Sequence, residues 1–459
     1  MAENRRALII GFSWSGKLAS RILSEVYQEV VVFERDVRPD GPIPRKGIPQ
    51  SHQPHVLLKK GEELLNAFFP NVTEELLDLG AVAFDFMKDV HWVHHGRQKV
   101  RIESHFDQLS LSRPLLEWVI QSRLSEIPNL NVNYETEVKD FIWDDVNGVK
   151  GVIVSSGDGE EWKKVHADLV VDCSGAASRF LQEFRNRHLP IPMEESLEIN
   201  LAYTSQRVHL SESFERNWQA LLLYPFPPES ERGGILYPVE NGESVISLFG
   251  YGGDHCAPKE DSFLDFAQTL SSPALYEAIK QASPLTSLKK YRVSKQYRRR
   301  MDKLHKQPEG LLVMGDALCR FDPVFGQGMT AACLEAKMLQ DMIRESTYSI
   351  GSLQFNRTLY KRFMKRLYPL WLMVLAEDFR YGKTQGKKPF GLGVLQRYIY
   401  KIYSITETDP ILYRRFARVL HLLDSPFTLF SPAILIKVLV KRGKPPIKED
   451  SHQNAIPRQ

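Results

Sequence analysis

Three glycine-centred segments, spread over more than 300 residues, constrain most what this chain can fold into. They are Gly11-Phe12-Ser13-Trp14-Ser15-Gly16, Asp172-Cys173-Ser174-Gly175, and Gly315-Asp316 followed by Pro323-Val324-Phe325-Gly326-Gln327-Gly328. Each follows an apolar run of strand type: Ala7-Leu8-Ile9-Ile10, Leu169-Val170-Val171 and Leu311-Leu312-Val313-Met314. After the first turn, Leu18, Ile22, Leu23 and Val26 recur at helical spacing, and Val30-Val31-Val32-Phe33 reads as a second strand. Residues 6–36 are therefore a βαβ unit, whose parallel pairing needs a helical crossover.

A leading glycine permits a tight turn out of the strand, and a small second residue lets backbone approach a pyrophosphate. The last glycine lets the helix pack close to the strand, and the helix start presents N–H groups to phosphates. Here Ser13 replaces the middle glycine of the usual pattern and is still small. Glu34 ends the second strand about 20 residues on, where a carboxylate accepts hydrogen bonds from ribose hydroxyls. Downstream, Asp316 follows a strand directly and can bind a polyol chain. Gly326-Gln327-Gly328-Met329 then opens a helix whose N–H groups favour negative charge, as on the N1–C2=O edge of a reduced flavin. Taken together, the segments point to one long cofactor, FAD. Ser112-Arg113-Pro114 starts another helix with a serine cap and a first-turn proline. Its Arg113 suits a phosphate or ribityl contact, or equally an ordinary ion pair.

Composition excludes several classes. With 43% hydrophobic and 25% charged residues the chain is that of an ordinary globular protein. MAENRR lacks a signal-peptide core, and no stretch approaches the ~18 apolar residues of a membrane-spanning helix. Four widely spaced cysteines (Cys173, Cys256, Cys319, Cys333) form no CxxC pair, so neither a metal site nor a disulfide framework is expected, and the expected location is cytoplasmic. From residue 351 onward 20 Lys/Arg face 7 Asp/Glu, a net of +13, whereas the first 350 residues hold 40 against 49, a net of −9. That asymmetry suits basic helices packed on an acidic body, or a peripheral membrane contact. No nucleic-acid partner is expected, and the oligomeric state is not legible.

The expected fold is α/β (α+β): an FAD-binding Rossmann-like βαβ domain interleaved with a mainly antiparallel-sheet substrate domain, plus a helical C-terminal region. The FAD-binding part spans 1–190 and 301–350, with parts of 85–110 assigned to the substrate domain. Residues 191–300 form the substrate-domain sheet, 351–443 the basic helical region, and 444–459 a disordered tail. Within the first part, helices are expected at 55–68 and 112–127, and a hairpin-like region at 131–172. Strand runs at Ile199 to Val208, Leu221 to Phe226 and Ser244 to Tyr251 alternate with turns, and a helix follows from 327 to 345.

The arrangement resembles the FAD-dependent aromatic hydroxylase superfamily (group A flavoprotein monooxygenases of the p-hydroxybenzoate hydroxylase type). Within it the chain looks closest to bacterial polyene epoxidases of polyether biosynthesis. The resemblance rests on Arg45-Lys46-Gly47-Ile48-Pro49-Gln50-Ser51-His52-Gln53-Pro54-His55-Val56-Leu57-Leu58 and Ser112-Arg113-Pro114-Leu115-Leu116-Glu117-Trp118. It extends to Pro308-Glu309-Gly310-Leu311-Leu312-Val313-Met314-Gly315-Asp316-Ala317 and to the segment from Pro323 to Met329. It implies Gly11, Ser13, Gly16 and Glu34, with Arg35 beside it, on the ADP half of FAD, and Arg45 and Arg113 along the cofactor. Gly315 and Asp316 fall to the ribityl chain, and Gly326, Gln327, Gly328 and Met329 to the ring. In the middle segment the usual Asp-Gly becomes Asp172-Cys173-Ser174-Gly175, which leaves the choice of NADPH or NADH open. No second nucleotide-binding unit is evident, so the nicotinamide is expected to bind transiently.

The implied reaction is monooxygenation, hydroxylation or epoxidation, with NAD(P)H, O2 and a flavin hydroperoxide. The cofactor carries that chemistry, so no Ser/His/Asp triad or metal cluster is required. Candidate catalytic residues are His52, His55 and Pro323; for the histidines a structural role fits as well as proton handling. A lipophilic substrate, such as a polyketide, terpenoid, phenol or quinone, is expected from Tyr203, Leu221 to Tyr224, Phe226, Tyr237, Phe249 and Tyr251, which can equally be core. The apolar run Phe427 to Val440 lies between Arg414, Arg415, Arg418 and Lys437, Lys441, Arg442, as suits a membrane-surface helix or a lid over the pocket. Three other readings stand open. A flavin-dependent halogenase shares the Asp-Cys-Ser-Gly wording, but its WxWxIP segment is absent. The others are a prenyl-chain reductase of the geranylgeranyl type and a non-enzymatic, membrane-associated flavin-binding protein.

Overall fold

The computed structural model describes residues 5–146, 148–156 and 161–440. Its first layer is a parallel sheet. β1 (Arg6–Ile10) leads through α1 (Trp14–Leu23) to β2 (Glu29–Phe33). Then come α2 (Arg113–Ser125), β3 (Leu130–Asn133), β4 (Leu169–Asp172), β5 (Leu311–Val313) and α3 (Gln327–Glu345). The strand order is β5-β4-β1-β2-β3, all parallel. With both faces covered, β1, β4 and β5 read as continuous apolar runs rather than alternating ones. Helices α1 and α3 pack on one another beside the sheet, and a three-stranded antiparallel sheet (Thr136–Trp143, Val149–Ser156, Trp162–His166) contacts β4.

This corrects the hairpin-like reading of 131–172. Only 136–166 is antiparallel; β3 and β4, at its two ends, belong to the parallel sheet. Their hydrogen-bond partners lie about 100 residues or more away in sequence (Val30 opposite Leu130, Leu8 opposite Val170), so local pattern could not assign them.

The second layer is a large sheet of mainly antiparallel strands, including Glu194–Leu210, Ala220–Leu223, Arg232–Pro238, Ser244–Gly250 and Lys289–Arg299. Val90–His94, from far upstream, joins it parallel to Ala220–Leu223. Four helices follow: α4 (Leu353–Asp378), α5 (Leu392–Ile405), α6 (Pro410–Leu420) and α7 (Pro432–Val440). Asp409 accepts the Leu412 N–H and Pro410 fills the first turn, which fixes where α6 begins. Among the described residues no helix is long and apolar enough to cross a membrane. The tail at 444–459 lies outside the described residues.

Candidate active site

Because β5, β4 and β1 are neighbours, the three glycine turns emerge side by side at the carboxyl edge of one parallel sheet. Ligands of open α/β sheets sit in the crevice at that edge. Helix α1 packs against the first turn so closely that a Cβ at Gly16 would stand 1.9 Å from the Gly11 carbonyl oxygen. The Trp14 indole N–H donates to the Met329 carbonyl (3.0 Å), tying the first turn to the start of α3. The Gly315 N–H donates to Glu335 (2.8 Å), whose carboxyl burial pushes up to about 8. The middle turn is bound mostly to itself: buried Asp172 accepts from the Ser174 N–H (3.0 Å) and from the Ser174 and Ser178 hydroxyls.

Behind the first turn lies a charge cluster that sequence alone does not reveal. Glu117 of α2 accepts from Arg113 (2.8 Å), Arg45 (2.9 Å) and Lys17 (3.3 Å). Arg45 and Lys17 also donate to the Phe12 carbonyl, and Arg113 donates to the Ser13 hydroxyl. Glu34 accepts the Phe12 N–H (2.8 Å) and pairs with Arg45 (3.1 Å). Burial alone would raise the Glu117 carboxyl; Lys17, Arg113 and Arg45 outweigh it and hold it well below the usual carboxylate range. Burial pushes the Lys17 ammonium down to about 8 against the pull of Glu117. Lys17 and Glu117 escaped the sequence reading because each looks like an ordinary helix charge; their pairing spans 100 residues. Arg35, expected beside Glu34, is exposed past the end of β2.

The third turn is built from the other layer as well. Asp322 caps the Pro323–Phe325 turn by accepting the Val324 N–H (2.8 Å), and Tyr224 donates to the Val324 carbonyl (3.1 Å). Asp322 also accepts from Tyr251 (2.7 Å) and lies against Asp378, at the end of α4; both carboxyls are fully buried. Burial raises Asp322 to about 6; burial and the Asp322 charge raise Asp378 well above the usual range, so the pair holds a proton that faces Asp322 from Asp378. A raised folded pKa means the native state binds more protons than the unfolded chain, so this pair adds stability as pH falls through about 6. Asp378→Asn is therefore expected to exceed wild type in stability by about 1–3 kcal/mol at pH 8. The gap should narrow as pH falls below about 6 and close only near pH 4, where the unfolded carboxyls also take up protons; Tm measured from pH 8 to pH 4 checks it, and a pH-independent gap would contradict the proton sharing.

From this turn a cavity of about 250 Å³ runs between the large sheet and the C-terminal helices. Pro323 to Gln327 stand at one end; Trp92, Leu222, Tyr224 and Tyr237 form the sheet wall, and Met373, Ile402, Phe416 and Leu429 the roof. Of the aromatics expected to line a pocket, Tyr224 and Tyr237 do so. Tyr203, Phe249 and Tyr251 are packed in the core instead. His52 and His55 border a separate small recess with Ser112 and Arg207, while Pro54 and Val56 between and beside them reach the large cavity. His55 bonds to the Gln53 carbonyl (2.8 Å), and burial together with Arg113 pushes it down to about 3, so it is neutral at pH 7.

The residues at the sheet edge fit FAD. Gln327 Oε1 and Thr330 Oγ1 are buried without partners at the start of α3, and a Cβ at Gly328 would meet no atom within 4 Å. A family profile described as "FAD binding domain" matches residues 58–345. Protein Rv3254 of Mycobacterium tuberculosis is 26% identical over 460 residues, covering 96% of this chain and 95% of that one. In three dimensions the chain is similar to a triple mutant of the flavin-dependent brominase Bmp2, with TM-score 0.67 and 14% identity over 94% of this chain and 98% of that chain. It is also similar to PqsL, a probable FAD-dependent monooxygenase of Pseudomonas aeruginosa, with TM-score 0.61 and 15% identity over 82% and 94%. With the profile spanning more than half the chain, and the three turns converging on one sheet edge, this protein belongs to the FAD-binding domain family of flavin-dependent oxidoreductases.

Proposed function

We propose that the protein is a monooxygenase that uses NAD(P)H and O2 to oxygenate a lipophilic small molecule. The observation that carries this reading is the position of the cavity: apolar, roofed by α4, α5, α6 and the Pro426–Phe430 turn, and beginning at the Pro323 to Gln327 turn. In this reading Gly11, Ser13, Gly16 and Glu34 hold the ADP half of FAD. Arg45 and Arg113, fixed by Glu117, flank the pyrophosphate; Asp316 takes the ribityl hydroxyls and Gly326 to Met329 the ring. When bound, FAD supplies two-electron reduction by nicotinamide and activation of O2. The chain's own part is to orient the ring, hold the substrate beside it and keep water out beneath the roof helices. The purified, FAD-loaded protein should oxidise NADPH or NADH faster with a suitable polyene, phenol or quinone, and product from 18O2 should carry the label. Saturated product without label would identify a reductase, and halide-dependent product a halogenase; either result would replace this reading.

The outer face of the roof supports a peripheral membrane contact. Ile436, Leu439 and Val440 of α7 are 61–77% exposed, with Lys437 on the same helix and Arg414, Arg415 and Arg418 on α6. An exposed apolar helix face in a segment rich in cations suits an anionic lipid surface. Co-sedimentation with phosphatidylserine vesicles is expected, several-fold weaker with phosphatidylcholine alone or after Ile436→Asp with Leu439→Asp. Equal sedimentation in all arms would remove the membrane from the account.

A further inference from the structure

Trp92 and His94 alternate on Val90–His94 so that both face the cavity, their rings stacked at 5.4 Å. Trp92 Nε1 and His94 Nδ1 are buried and make no hydrogen bond, and buried Gln108, which borders the same cavity, has only the Tyr237 hydroxyl beside its amide. These side chains are 1–6% exposed. Buried polar groups are ordinarily paired, and an apolar wall would have been built more stably from leucine.

The groups behind this wall are, by contrast, engaged. Glu377 accepts from Tyr403 (3.0 Å) and Arg380 (3.1 Å) and bonds to His95 (3.2 Å). Arg380 also donates to the Gln396 carbonyl, and Lys99 donates to the Tyr403 carbonyl and the Thr406 hydroxyl. Burial would raise Glu377, but Arg380 and His95 outweigh it and hold it at about 2, so it is an anion bordering the cavity. Burial, with His95, Lys99 and Arg380 nearby, pushes His94 well below its ordinary value, which leaves a neutral imidazole able to donate and accept. His94, His95 and Glu377 place ligand atoms within 4.8 Å of one another, but Arg380 already pairs with the carboxylate, which disfavours a cation there.

We propose that Trp92, His94 and Gln108 form the polar wall of the cavity and bind a neutral oxygen function, a hydroxyl or carbonyl, on an otherwise apolar aromatic substrate. This rests on reading the cavity as the substrate site. Trp92 can only donate, His94 and Gln108 can do both, and the Glu377 anion rejects a carboxylate at the same place. The class is therefore phenols, quinones and aromatic ketones, and aromatic acids are excluded.

The test is equilibrium dialysis of the full-length, FAD-loaded protein, without reductant, against 2-naphthol, naphthalene and 2-naphthoate. Naphthol should bind about ten-fold more tightly than naphthalene, as one good hydrogen bond allows, with naphthoate the weakest. His94→Phe keeps the ring and should bring naphthol down to the naphthalene level while naphthalene itself is unchanged. Gln108→Leu is the second variant should the first not fold, with a smaller drop in the same direction. Equal binding of naphthol and naphthalene, tightest binding of naphthoate, no binding of any probe, or an equal loss for all three in the variants would each overturn the proposal. Since dialysis needs no turnover, failure of NAD(P)H-driven oxygenation would count against the monooxygenase reading alone.

Discussion

Gly16→Ala is expected to yield little folded protein, whereas Gly328→Val should fold normally and fail to keep its flavin. The two glycines are close in role by sequence but opposite in surroundings. At position 16 a methyl group would meet the Gly11 carbonyl oxygen at 1.9 Å, backbone against backbone, with β1 and α1 both fixed by the sheet. No rotamer relieves that clash, so the helix must leave the strand and the core beneath it opens, a loss of several kcal/mol in a chain whose whole stability is about 5–15 kcal/mol. At position 328 the added side chain meets no protein atom within 4 Å, and the backbone is helical. Valine there should shift apoprotein stability by less than about 1 kcal/mol. Its bulk would instead occupy the space in front of the α3 N–H groups, and FAD released per chain should fall about ten-fold or more. Thermal melts of the apoproteins and absorbance of released flavin separate the two effects. Full flavin content in Gly328→Val would show that this space is not the cofactor's, and soluble, flavin-bearing Gly16→Ala would show that the contact can relax.

What could be read in the sequence divides along the same line, between local necessity and distant pairing. The turns after β1, β4 and β5 announce themselves because a close approach at Gly16 or an open helix start at Gly328 demands a particular residue where it stands. The helix at 327–345 was legible from its glycine start and apolar spacing alone. The hairpin-like reading of 131–172 takes in β3 and β4 because nothing in their own composition names a partner about 100 residues or more away. The cavity roof was half legible. Phe427 to Val440 suggests either a lid or a lipid-facing helix; Leu429 lines the cavity, while Ile436 and Leu439 are exposed. His94 carries no signal in the sequence, being one histidine in a strand; its missing hydrogen bond exists only in three dimensions.

The deepest case of distant pairing is Glu117, and its removal is the second large expected effect. Glu117→Gln should destabilise the protein by about 3–5 kcal/mol, a fall in Tm of the order of 5–10 °C. The side chain is isosteric and can still accept from Arg113, but Lys17, fully buried, then stands near Arg45 with only Glu34, itself paired with Arg45, to offset its charge. An uncompensated buried ammonium is what makes broken pairs so costly; two apolar groups in the same place would not be. Accordingly, adding Lys17→Met to Glu117→Gln should recover part of the lost stability, which simple loss of packing at Glu117 would not allow. The pH dependence has a definite sign. Since the folded carboxyl is held below its unfolded value, its contribution is present above about pH 4.5 and lost as pH falls further. The Tm gap between wild type and Glu117→Gln should therefore be full at pH 7 and narrow below pH 4.5. A gap that persists unchanged into acid would place the effect in packing rather than charge, and Arg45 and Arg113 would then need another explanation for their fixed positions beside the first turn.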